Sequence, residues 1–364
     1  MAWTPLDESI AASQPGHITD HEQSHRYLNV ANAARGIQHV DSSYGNDSNS
    51  GSYGHPVTTI AQAVSNLTSG GGGAIYPAGG TYPVHDLSVT VPITVAGVGR
   101  GKTIVSTAST DSRGFWVKGS GVAANASRSL FTNFTMTGST AASTATRLVD
   151  VDTADWVLLD NIDFRDVGYT RTDNPARSAS PVAVYTSATE PYGTGTISDW
   201  LQLRNCVFYH CFRGATLTGA GNGYVTGCTW IAPVREHLYI SGNSYHCNTG
   251  WMTAGSSMIS GEYLLVVGGS ALHTTIENYH FEIGAAAGGR HHIKIEDSVQ
   301  RTIINDAVFR ANDVTATYCV DISGTADRNI VGPYVETGNG VFRDTSSGAN
   351  NKLWQPSDFT GTFT

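Results

Sequence analysis

Short strand-like blocks, each centred on Asn or Gly, recur through most of this 364-residue chain. Leu130–Met136, Leu158–Phe164, Leu203–Phe208, Val225–Trp230, Thr275–Phe281 and Ile303–Phe309 share the pattern, and the central marks fall at Asn133, Asn161, Asn205, Gly227, Asn248, Asn278 and Asn305. The intervals are 28, 44, 22, 21, 30 and 27 residues. A period of roughly 20–30 residues marks a solenoid, in which each unit buries its apolar face only against its neighbours. The 44-residue interval reads as one coil with a long loop. A second series interleaves with the first: Arg147–Val151, Val182–Tyr185, Ala215–Leu217, His237–Ile240, Leu264–Val267 and His292–Ile295. Each alternates apolar and polar residues, as a strand with one buried face does.

Composition points the same way. Only 14% of residues are charged, against roughly 25% in an average soluble protein. With 41 Gly, 41 Thr, 34 Ser and 20 Asn the chain suits many short strands and turns, and not a helical bundle. A hydrophobic share of 40% excludes wholesale disorder. The net charge is −9 and there is no Lys/Arg run, so no nucleic-acid partner is expected. No apolar run approaches the roughly 18 residues of a membrane span, so no membrane insertion is expected. The start Met1–Glu8 has neither a basic nor an apolar region, so no signal peptide is expected. Cys206, Cys211, Cys228, Cys247 and Cys319 contain no CxxC pair and read as reduced core thiols, with Cys206, Cys228 and Cys247 forming an interior ladder.

Residues 1–36 differ from the rest: they are polar and His-rich. Thr19 or Asp20 fits the cap of a helix running to about Ala34. His17, His21 and His25 stand at i, i+4 and i+8, a spacing that can hold a metal on one helix face. No Cys or carboxylate completes such a site, so the reading preferred is a polar face packed on a neighbouring chain, with no metal and no cofactor. Farther on, Val57, Ile60, Ala61, Val64 and Leu67 form the stripe of an amphipathic helix over 57–67. Gly70–Gly73 follow; with no GK[ST] behind them and a strand next, they are not a phosphate cradle. A solenoid must cover its open ends. The 57–67 helix is expected to cover the first coil, and Leu353, Trp354 and Phe359 the last.

The run from Gly45-Asn46-Asp47 through His55–Val64 to Gly70–Tyr82 resembles the opening of the pectate-lyase-like superfamily, over about residues 44–105. Tyr76-Pro77-Ala78-Gly79-Gly80 departs slightly from the order usual there, which we read as a shifted turn. The resemblance implies an all-β right-handed parallel β-helix with an N-terminal capping helix. Pro15–Asn29, containing Gly16-His17-Ile18-Thr19-Asp20-His21, is similar to N-terminal segments of bacteriophage tail and minor tail proteins. Such a segment ahead of a β-helix resembles a tailspike. That implies a homotrimer in the virion, assembled in the host cytoplasm and joined to other tail proteins through residues 1–36. It also implies a host-surface polysaccharide as ligand, bound and cleaved. The expected boundaries are 1–36 for attachment, 37–345 for the β-helix and 346–364 for a C-terminal cap. A non-catalytic structural or receptor-binding tail protein is the alternative; a free polysaccharide-degrading enzyme has no need of an assembly arm.

Aligning the second series on Leu217, Ile240, Val267 and Ile295 gathers the ionisable residues. Four residues earlier stand Arg213, Glu236, Tyr263 and His291; before them Phe212, Arg235, Glu262 and Arg290; after them Gly214, His237, Leu264 and His292. Two chemistries fit. Glu236 and Glu262, one coil apart, suit a glycosidase, which needs carboxyls about 5–5.5 Å apart if retaining and about 6.5–9.5 Å if inverting. A uronate lyase needs a cation to neutralise the substrate carboxylate, here Arg213, Arg235 or Arg290, and groups that move protons, here His237, Tyr263 or His291. The bland reading is an ion-pair ladder along the solenoid edge. The calcium-dependent lyases of the superfamily that the chain resembles use clustered aspartates, which this stripe lacks, so no metal is expected. Tyr169, Tyr192 and Trp200, on long loops, are candidate sugar-stacking residues, or else contacts with the next subunit.

Overall fold

The structure, a computed structural model, describes residues 36–353 apart from 109, 120–125, 142–145, 174, 188–199, 219–221, 242–243, 255–257, 270, 284–288, 312–316, 339 and 349. The His17/His21/His25 helix, the attachment segment up to residue 35, Tyr192, Trp354 and Phe359 lie outside the described residues.

Strands pair in parallel with strands one coil away, which makes a right-handed parallel β-helix. Among the described residues eighteen strands form one sheet, which bends within each coil, and ten form the opposing sheet. The first strand series lies in the large sheet and the second in the ten-stranded sheet. Leu158–Asp160 pairs directly with Gln202–Arg204, so the 44-residue interval is one coil, as its loop reading requires.

The bend in the large sheet is a column of left-handed residues. Asn133, Asn161, Asn205, Gly227, Thr249, Asn278 and Asp306 have φ between 51° and 65°. Asn tolerates this conformation because its short polar side chain bonds locally, and Asn161 Nδ2 donates to Asn133 Oδ1 at 2.5 Å. Two marks fall one residue later than the sequence pattern suggests, at Thr249 and Asp306, because Asn248 and Asn305 end the preceding strand segments. Inside the bend the core is a column in register, the rings Phe164, Phe208 and Trp230, then Met252, then the rings Phe281 and Phe309. Phe208 and Trp230 lie 3.9 Å apart between centroids at 7°. Each buried ring contributes roughly 1.5–3 kcal/mol, which fixes the register of successive coils.

The cysteines are free and buried. They do not form a single ladder: Cys206 and Cys228 each follow the bend, whereas Cys247 sits opposite Val225, on the strand before it.

The capping helix spans Ile60–Thr68. Its start is set by Thr59, whose Oγ1 accepts from Gln62 N at 3.1 Å, while Asp47 accepts from the Thr58 and Thr59 amides at 2.8 and 2.9 Å. Ile60, Ala63, Val64 and Leu67 are buried over the first coil; Val57 is buried ahead of the helix and Ala61 faces outward. Gly72 then turns the chain at φ +118°, where a Cβ would lie 2.2 Å from Pro92 O. At the other end Lys352–Leu353 adds a strand beside Ile330–Val331. Among the described residues no helix is long and apolar enough to cross a membrane.

Candidate functional site

The register places Leu217, Ile240, Val267 and Ile295 opposite one another and pairs Tyr263 with His291, as the alignment of the second series requires. Arg213, Glu236, Tyr263 and His291 therefore share one outward column of the ten-stranded sheet. A second outward column, beyond the next two inward residues, carries Thr216, Tyr239, Val266, Lys294, Asp321 and Arg343.

The stripe divides into a covered half and an open half. In the covered half Arg213, Arg235, Glu236 and Arg290 are buried, with Asp173, Arg177 and Ser180 bonded over the first three. Arg177 Nε donates to Glu236 Oε1 at 2.8 Å, Arg213 Nε to Ser180 Oγ at 3.0 Å, and Arg235 to Asp173 O at 2.9 Å. Arg213 also pairs with Glu236, and Arg235 with Glu262. Arg290 Nε donates to Met258 O at 2.6 Å. Burial raises the Glu236 pKa, but Arg213 and Arg177 outweigh it and leave the carboxyl below its ordinary value. Glu236 thus stays ionised and shielded, a setting opposite to that of a general acid.

His237 and His292 point inward, beside the rings of the core. Burial pushes both down to about 3, so they stay neutral; His237 Nε2 lies 3.0 Å from Thr253 O. This departs from the alternation expected of the strand, because two adjacent positions of each rung face inward where the sheet begins. Glu236 and His237 have no route to a large substrate in this arrangement.

The open half lies on the following coils. Tyr263, His291 and Tyr318 form a ring ladder with centroids 4.7 and 4.6 Å apart. The Tyr263 hydroxyl donates to Asp321 Oδ2 at 2.5 Å, and Arg343 clamps the same carboxylate with Nε at 2.8 Å and Nη2 at 2.6 Å. Burial, then the bond to Asp321, raises the Tyr263 pKa, so the phenol keeps its proton. Burial alone would raise the Asp321 pKa, but Arg343 and Tyr263 hold it below its ordinary value. Lys294 Nζ bonds Glu296 Oε2 at 2.8 Å, and Arg177 lies 3.9 Å over the Tyr239 ring. Arg177, Lys294 and Arg343 are each about a third exposed, at 34%, 30% and 33%. The half left uncovered is therefore rimmed by three part-exposed cations around a phenol–carboxylate bond that is itself buried.

Lys294, Asp321, Arg343 and Tyr318 were legible in principle. Carrying the alignment one coil beyond Ile295 to Ile322 puts Tyr318 in the column of His291. The irregularity between Tyr318 and Val320 then interrupts simple counting to Arg343.

The loop candidates lie elsewhere. Tyr169 stacks on His210 at 4.1 Å. Trp200 belongs to a stack on the large sheet, with Trp156 at 5.0 Å and Tyr224 at 6.0 Å.

No family model and no curated protein matches the chain. Solved structures share its fold. An alginate lyase from Paenibacillus sp. str. FPU-7 superposes with a TM-score of 0.54 at 14% identity, covering 76% of this chain and 96% of that one. ORF18 of Geobacillus virus E2 gives 0.52 at 14% identity over 94% of this chain, which spans 66% of the viral protein. A GH136 lacto-N-biosidase from Eubacterium ramulus gives 0.51 at 13% identity over 95% of this chain and 73% of that one. At these identities the likeness is one of fold.

Proposed function

We propose that this chain is a phage tail protein of the tailspike kind that binds host-surface polysaccharide and cleaves an acidic glycan by β-elimination on the open half of the stripe. The observation that carries the reading is the Tyr263 phenol, fixed by Asp321 beside His291, inside a rim formed by Arg177, Lys294 and Arg343. Lys294 and Arg343 neutralise the uronate carboxylate and so acidify the C5–H bond. His291 takes the C5 proton at Nδ1, giving up the bond it accepts there from the Tyr318 amide at 3.2 Å, the electron pair forms the C4–C5 double bond, and the C4–O bond breaks. The leaving oxygen takes the proton of Tyr263, whose hydroxyl has to turn from Asp321 to deliver it. Arg213, Arg235, Glu236 and Arg290 hold the surface in place from the buried side. Sharing a fold with a viral protein and with an alginate lyase is in keeping with this reading.

Digestion of host capsule or wall glycan by the purified chain tests it. New ultraviolet absorbance together with new reducing ends supports elimination. Reducing ends alone select hydrolysis, and neither selects the attachment-only tail protein. The tail reading also expects a homotrimer of three 38.5 kDa chains in light scattering, and residues 1–36 to be required for incorporation into virions while the β-helix folds without them.

A further inference from the structure

A second edge of the solenoid carries an unrelated arrangement. Where the chain turns into the large sheet, one position of the coil is held on six coils by Arg128, Trp156, Trp200, His273, Arg301 and Arg328, all with φ between 57° and 66°. A non-glycine residue in this region costs roughly 1–3 kcal/mol and persists only where its surroundings enforce it. Here it turns long side chains outward at the corner.

On the first coils the corner feeds a ring stack. Trp156 and Trp200 stack at 12°, and Tyr224 and His246 continue the stack on the neighbouring strands, 5.5 Å apart. The next residue in that column is Thr275, opposite His246, and it is too short to carry the stack on. The vacated rung opens into a half-open cavity of about 420 Å³, whose lining includes Thr275, Ile303, His246, His273, Arg301 and Arg328. Arg301 Nη1 lies 2.6 Å from His273 Nε2, a guanidinium donating to a neutral imidazole. Among the described residues no carboxylate pairs with Arg301, and Arg328 reaches only Asp327, at 3.5 Å. In a chain with 30 acidic residues against 21 basic ones, an exposed pair of cations that meets one carboxylate at 3.5 Å is complementary to an anion from outside.

We propose that this cavity is a separate binding site for a uronate unit of an acidic oligosaccharide. The apolar face of the pyranose continues the ring stack on His246, over Thr275, and its carboxylate takes charge-assisted hydrogen bonds from Arg301 and Arg328. The site holds glycan on a different sheet from the cleavage surface and does not depend on that surface being catalytic.

The probe is hexagalacturonate, titrated calorimetrically into the full chain carrying Lys294→Gln, which removes a sheet cation that the cleavage reading uses and leaves the buried Asp321–Arg343 pair intact. Binding is expected to persist in this background. It should fall at least about tenfold on adding Arg301→Gln, and again on adding Thr275→Trp, which fills the vacated rung without touching a charge. The carboxyl-reduced, neutral hexasaccharide should bind weakly to all forms. Loss of binding in Lys294→Gln alone, or binding unmoved by both added substitutions, overturns the proposal. A change of oligomeric mass in Arg301→Gln would also overturn it, by assigning the cavity to a second copy of the chain. Binding that follows the proposal with no unsaturated product from the wild type would sink the cleavage reading and leave this site standing.

Discussion

Tyr263 donates its hydroxyl hydrogen to Asp321 across the whole width of an intervening strand, His291–Ile295, at 2.5 Å. A tyrosine that bridges two coils locks the spacing of three, and Arg343 locks the acceptor from a fourth. Tyr263→Phe removes the proton and leaves the Asp321–Arg343 pair intact. A positioned general acid is worth roughly 10²–10⁴-fold, whereas one hydrogen bond to a charged group is worth about 1.5–3 kcal/mol. Glycan cleavage is therefore expected to drop at least about 100-fold while the chain still melts cooperatively. Wild-type turnover in Tyr263→Phe would remove the phenol from the mechanism.

Glu236 behaves differently. It is the buried anion between Arg213 and Arg177. Removing one partner of a buried pair costs roughly 3–5 kcal/mol, so Glu236→Gln is expected to lower the melting temperature markedly. The acid side has a defined sign. The folded pKa lies below the unfolded value of about 4.3, so the stabilisation is present above that value and is lost as pH falls through the folded pKa. A variant as stable as the wild type at neutral pH would show that Glu236 holds nothing together.

The solenoid was legible because a β-helix repeats its inward residues at every coil, and Leu217, Ile240, Val267 and Ile295 keep strict register. The stripe of charge was legible for the same reason. Its division into a covered and an open half was not. That depends on Asp173, Arg177 and Ser180, which come back over the sheet from a loop with no repeat of its own. The inward turn of His237 and His292 was hidden as well, because alternation assigns a polar residue to the outside and here an imidazole replaces Leu264 of the same column.

The thiols give a test of the core. Burial pushes Cys211 and Cys247 up to about 12 and Cys206 well above its ordinary value. The thiolate is the reactive form and all five thiols are buried, so a disulfide reagent at neutral pH is expected to leave them untouched in the folded chain and to titrate five after denaturation. Rapid labelling of Cys206 or Cys247 in the native state would mean that the coils around the bend open readily.

The two inward imidazoles make stability depend on pH in a window that carboxylates leave clear. His237 and His292 stay neutral when folded down to about 3, whereas an unfolded histidine protonates below about 6.5. Between those limits the unfolded chain binds more protons, so stability rises with pH and falls on acidification. Each histidine contributes a slope of up to about 1.4 kcal/mol per pH unit. Carboxylates enter only near their own unfolded values, about 4, so the interval from roughly pH 6 to 4.5 isolates the histidines. Denaturant unfolding across that interval should show a steep loss in the wild type. His237→Leu, which copies Leu264 in the same column, should remove about half of the slope, after a fixed cost for the lost bond to Thr253 O. A flat wild-type profile from pH 6 to 4.5 would mean that both rings reach water and protonate in the folded state, and the inward placement of that column would be wrong.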